Sequence, residues 1–166
     1  ILIKYKIRPS VYVVTSAVEN NIPIWTYKLD KTIAKTKKIN YNERFEFQNL
    51  SIKSLSNRIK LANSFKNYLK QIDNSKRESI LEEFFTKFND VNFEENTYMN
   101  WQDLREISSF VSIGSHTHTH PMLGKMNDKN EIQHELTTSK KKIELKEENH
   151  SNERRLKIKT RNGPSR

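Results

Sequence analysis

The order of apolar and polar positions divides the chain into four blocks. Near the start, Val11, Tyr12, Val13 and Val14 make an almost unbroken β-branched and aromatic run behind Pro9. That run predicts a strand covered on both faces, and the preceding ILIKYKIRP reads as the end of a helix. A loop follows with its turn in NNIPIW, residues 20–25, and Trp25 as its apolar anchor. Residues 28–95 are polar and read as mostly helical. Leu55, Ile59, Ala62, Leu69 and Ile72 fall on one stripe and Leu81, Phe84, Phe85 and Phe88 on another, with Asp73-Asn74-Ser75 as the break between them. An amphipathic helical insertion over about 28–95, packing on a core, accounts for this block better than an aromatic cofactor box does.

In the third block, Asn100 precedes WQDLREIS with Asp103 at the third helical position, the arrangement of a capping box. FVSIGS then predicts a short strand that runs into IGSHTHTHP and is stopped by Pro121. In the fourth block Asp128 and Glu131 open another helix, with Ile132, Leu136 and Ile143 on one face. Apolar periodicity is lost from Glu147, so residues 147–166 read as a charged, disordered tail.

Composition narrows the possibilities. Of 166 residues only 34% are apolar, enough for one domain with a lean core. No cysteine is present, which excludes a disulfide framework and thiolate metal sites. No stretch approaches the roughly 20 apolar residues of a membrane span, and the broken apolar run of ILIKYKIRPS does not make a signal-peptide core. The first residue is Ile1, and a chain opening in mid-pattern reads as a piece of a longer reading frame. The net charge of +10 comes mainly from two stretches. Residues 28–70 carry 11 Lys/Arg against 3 Asp/Glu, and residues 140–166 carry 10 against 4. Neither interleaves aromatics at stacking spacing or carries a helix-turn-helix or RNP-type signature. Solvated basic faces therefore explain the charge better than nucleic-acid binding.

Three of the five histidines stand within IGSHTHTHP. Neutral imidazole is the commonest metal ligand, and two geometries would serve. In an extended segment His116, His118 and His120 share one face; in a helical turn His116 and His120 do so and His118 points elsewhere. Either brings two imidazoles to one ion. A catalytic zinc needs a third protein ligand and an open position for water. The nearby Asp103 and Asp128 are explained as helix caps, and His134 and His150 read as solvent-facing.

The stretch YMNWQDLREISSFVSIGSHTHTHPMLGKMNDKNEIQHELTTSKKKIE resembles the second conserved region of the polysaccharide deacetylases, the NodB-homology carbohydrate esterases. That region reads I-G-S-H-T-x-x-H-P-x-L and then E-[IL]-x-x-S-K on a following helix. It is matched by Ile113, Gly114, Ser115, His116, Thr117, His120, Pro121 and Leu123, then by Glu135, Leu136, Ser139 and Lys140. LIKYKIRPSVYVVTSAVENNIPIW is similar to the family's L-x-x-x-x-I-P-A-T-F-F-V block and the loop with Trp behind it. The likeness covers residues 1–146.

The resemblance implies an α/β fold, a partial deformed (β/α) barrel with the helical insertion, and metal-dependent removal of N-acetyl, or sometimes O-acetyl, groups from a polysaccharide. It implies His116 and His120 as ligands of a divalent metal, usually zinc, Thr117 as the hydroxyl that braces the loop, and His118 at a variable position. Such enzymes commonly act at the cell envelope or are secreted. The family's T-F-D-D motif, which supplies the base aspartate and the third metal ligand, is absent here. So are R-x-P-[YF]-G, the D-x-x-D-W type motif and L-x-H, which supplies the acid histidine. The expectation is an incomplete, inactive chain with no catalytic acid or base of its own. A non-catalytic metal-binding protein and a basic nucleic-acid-binding module stand as alternatives.

Overall fold

The computed structural model of the chain describes residues 2, 4–36, 54–89, 91, 93 and 98–161, with side chains of the last helix as far as Lys146. The described residues form a helix-rich α/β arrangement of six α-helices and two parallel strands. They fall into two compact units, residues 1–22, 96–120 and 130–166 in one, residues 23–95 and 121–129 in the other.

In the first unit β1 (Ser10–Val13) leads through Val14 into α1 (Thr15–Asn20), and α5 (Trp101–Ile107) leads into β2 (Ser112–Ser115). The strands pair in parallel, Val11 with Ile113, Tyr12 with Gly114 and Val13 with Ser115. Where the sequence suggested a helix end before Pro9, residues 4–6 form a turn with Lys6 at φ 53°. The expected capping box is present: Asn100 Oδ1 accepts the backbone N–H groups of Gln102 and Asp103, and the Asp103 carboxylate accepts from Asn100 N–H. Arg8 closes the other end of α5, donating to the carbonyls of Ser108 and Val111 and to Ser112 Oγ. Orphan carbonyls of a helix end thereby gain a cationic donor.

The core of this unit is Val13, Val18, Leu104 and Ile143, with Val11, Trp101, Ile107 and Ile113 packed against it. Only one face of the sheet is covered. Tyr12 is 67% exposed, which corrects the reading of a strand buried on both faces. Its ring lies across Gly114, where an added Cβ would stand 2.7 Å from Tyr12 Cδ1. Glycine at this register position lets an aromatic ring lie on the backbone of the neighbouring strand.

α6 (Lys129–Arg161) packs Ile143 into the same core and continues well past Glu147. The segment expected to be a disordered tail is thus helical to Arg161. Its lysines, glutamates, arginines and leucine are good helix formers, and a helix already nucleated by packing gains one hydrogen bond for each residue added.

In the second unit α2 (Trp25–Lys35), α3 (Leu55–Gln71) and α4 (Asn74–Lys87) enclose Trp25, Leu29, Ile33, Leu61, Ala62, Phe65, Leu69, Ile80, Leu81 and Phe84. Phe84 meets Phe65 and Phe85 edge-to-face at 5.3 and 5.7 Å between ring centroids, a favoured aromatic geometry. The Asp73 side chain caps α4 by accepting from the N–H groups of Ser75 and Lys76. The buried stripe of α3 is rotated from the one expected: Phe65 and Leu61 face the core, while Leu55 and Ile59 are exposed. Arg58, one turn before Ala62, crosses to the end of α2 and donates to the carbonyls of Ile33, Ala34 and Thr36. Among the described residues no helix is long and apolar enough to cross a membrane.

Candidate functional site

The histidine segment leaves β2 as a compact loop, neither extended nor helical. Thr117 and His120 both adopt left-handed backbone, at φ 66° and 65°. For a β-branched residue such as Thr117 this is a strained conformation, of a kind that costs on the order of 1–3 kcal/mol and persists only where surrounding contacts over-determine it.

Those contacts account for every N–H in the loop. His116 N–H extends the ladder by donating to Val13 O at 2.8 Å. Thr117 N–H donates to Ser115 Oγ, whose own hydroxyl donates to Ser139 Oγ at 2.6 Å, and Ser139 in turn donates to Leu136 O. The N–H groups of His118 and Thr119 both donate to Glu135 Oε2 at 2.8 Å, and the Thr119 hydroxyl donates to Glu135 Oε1 at 2.6 Å. His120 N–H donates to Thr117 Oγ1, and that hydroxyl donates to His116 O. Buried backbone donors left without acceptors would cost as much as lost hydrogen bonds, and no backbone N–H from His116 to His120 is left.

The loop's carbonyls also have a task. α1 has no side-chain N-cap, and the N–H groups of Thr15 and Ser16 at its start donate instead to Thr117 O and His118 O. The loop is therefore tied to β1, α1 and α6.

Within this frame the imidazoles of His116 and His120 come together, with ring centroids 5.0 Å apart and planes inclined at 46°. Two imidazoles bound to one tetrahedral zinc through nitrogen have centroids roughly 5 Å apart, a separation this pair matches. The His118 ring is directed elsewhere: its Nδ1 shares a hydrogen bond of 2.9 Å with the Thr15 hydroxyl. Of the two geometries open from sequence, the structure pairs the histidines four apart, without the helical turn. His134 is exposed on α6, near Thr138, and His150 lies where side chains are not described. No group of three His, Cys, Asp or Glu side chains able to hold a metal occurs among the described residues.

Comparison with protein-family models, with curated proteins and with solved structures finds no match. The site stands on its own geometry.

Glu135 and Ser139 are the contributors that sequence reasoning left without a role. Both are buried polar residues on α6, four apart, and so lie on one helix face. The available signal was their place among Ile132, Leu136 and Ile143, since a carboxylate beside an apolar stripe needs a partner in the fold.

Proposed function

We propose that the chain is part of a polysaccharide deacetylase-type domain in which His116 and His120 supply two ligands of a divalent metal, zinc by resemblance. The observation that carries this reading is the pair of imidazoles 5.0 Å apart at the head of a parallel strand, in a loop whose backbone accepts strain to bring them together. Support also comes from chain order, since β2, the histidine loop and a helix bearing Glu135 and Ser139 follow one another as in the family's second conserved region.

On this reading β1 and β2 are neighbouring strands of a partial (β/α) barrel, α2 to α4 are the insertion, and an N-acetylated polysaccharide is the substrate. Thr117 braces the loop, as its bonds to His116 and His120 allow. A bound divalent cation in such a site activates a water and polarises the acetyl carbonyl. The family's T-F-D-D and L-x-H motifs, which supply the third ligand, the base and the acid, do not occur in this sequence, so the chain alone is expected to bind metal and not to turn over.

Two observations test the reading. Zinc added to the labelled protein should shift the imidazole resonances of His116 and His120 together and leave those of His134 unmoved. Uniform shifts of all histidines would remove the site. Incubation with an N-acetylated oligosaccharide should release no acetate, and release would show that the catalytic groups are present after all.

A further inference from the structure

The geometry points to Glu135 as the positioning residue of the histidine loop, the group whose carboxylate holds His116 and His120 at metal-binding separation. This rests on the metal-site reading above and adds to it a residue whose two carboxylate oxygens are taken up by the loop.

Two residues of the loop have strained, left-handed backbone. Thr117 and His120 return to ordinary backbone unless something fixes the residues between them, which are His118 and Thr119. The N–H groups of both end on one oxygen of Glu135, and the Thr119 hydroxyl ends on the other. Three donors thus converge on a carboxylate that is only 7% exposed. A buried carboxylate takes such bonds as charge-assisted ones, shorter and stronger than bonds between neutral groups. Ser139, four residues on, fixes the start of the loop through Ser115 and Thr117, and the hydroxyl of Thr117 holds its end at His120. Glu135 takes both N–H groups of the middle, while Ser16 N–H and the Thr15 hydroxyl hold His118 by its carbonyl and its ring. α6 is anchored in the core by Ile143, so the carboxylate transmits the position of a packed helix to the loop.

Glutamine at 135 is nearly isosteric. Its oxygen can accept both N–H groups and its amide can donate to the Thr119 hydroxyl, so only charge is lost. Alanine removes both acceptor oxygens and with them all three bonds.

The experiment compares wild type, Glu135→Gln, Glu135→Ala and, as a control on the exposed side of the same helix, Glu131→Gln. Zinc affinity and amide hydrogen exchange at His118 and Thr119 are both read. Glu135→Ala should weaken zinc binding by about tenfold to a hundredfold and accelerate exchange at those two amides, while His116 N–H stays protected by Val13 O. Glu135→Gln should recover most of both, and Glu131→Gln should change neither. Should Glu135→Ala fail to fold, Thr119→Val at an exposed position weakens the same clamp, and a severalfold loss of zinc affinity with faster Thr119 exchange is expected. Zinc affinity and exchange unchanged in Glu135→Ala, or in Thr119→Val where it replaces it, would overturn the positioning role. Failure of the wild-type chain to take up zinc would overturn the metal reading and with it the effect on affinity, and amide exchange would then decide whether Glu135 holds the loop.

Discussion

Thr117 carries two demands that pull against each other. Its backbone is left-handed, which disfavours a β-branched side chain, and its hydroxyl joins His116 O to His120 N–H. Thr117→Val keeps the shape and the strain and deletes the hydroxyl. The expected loss is about 1–2 kcal/mol, read as a shift of the urea midpoint without change of slope. Gly114 shows a milder constraint. A methyl there would meet the Tyr12 ring at 2.7 Å, but that ring is exposed and can swing aside. Gly114→Ala should therefore cost within about 1 kcal/mol. In a Tyr12→Ala background it should cost nothing, a coupling that a double-mutant cycle measures directly. The identities of both residues were legible in IGSHTHTHP; the backbone angle of Thr117 and the cross-strand contact of Gly114 were not, because they depend on Glu135 and Ser139 of a later helix and on Tyr12 of the partner strand.

At the scale of elements, α6 is held to α1 by the Lys142–Glu19 ion pair as well as by Ile143. The hydrogen bond from Lys142 pulls the Glu19 carboxyl below its ordinary value of 4.5; a little burial opposes this, and the fields of Lys142, His118 and Lys146 add to it. A depressed carboxyl stabilises the fold above its unfolded value and loses that contribution as pH falls through the lower folded value. Wild type should exceed Lys142→Met in stability from neutral pH down to about 4.5, and the difference should shrink progressively below that as the carboxyl is protonated in the folded state. The pair is part-exposed and screened, so the difference is expected at about 0.2–1 kcal/mol. In the three-helix unit, Phe84 is 1% exposed and meets three other phenylalanine rings. Phe84→Ala should cost about 3–5 kcal/mol, seen as loss of helical ellipticity at lower denaturant. The element pattern was largely readable, with both strands and the capped helix at Asn100 where the pattern put them. The α3 stripe was not, because the pattern passed over Leu61 and Phe65 and could not show that Arg58 reaches across to α2. Nor was the helix beyond Glu147, where polarity resembled a tail but propensity favoured helix.

For the molecule as a whole, two four-residue strands pair in parallel and have no other strand partner among the described residues. Tyr5, Ile7, Tyr12 and Phe110 are exposed. Parallel sheets are ordinarily covered on both faces, and open edges and apolar patches weaken a fold and invite association. Thermal unfolding of the isolated chain is accordingly expected below about 45 °C, under the usual mesophile range. The class of chemistry could be suggested from two histidines four apart, and the structure adds what the spacing lacked: which two rings meet, and what binds the third.

The pairing of His116 with His120 is tested most directly by zinc titration of wild type against His116→Ala, His120→Ala and His118→Ala. One ion should bind per chain, with affinity falling about tenfold or more in His116→Ala and His120→Ala and persisting in His118→Ala. Equal weak binding by all four proteins, or loss only in His118→Ala, would contradict it.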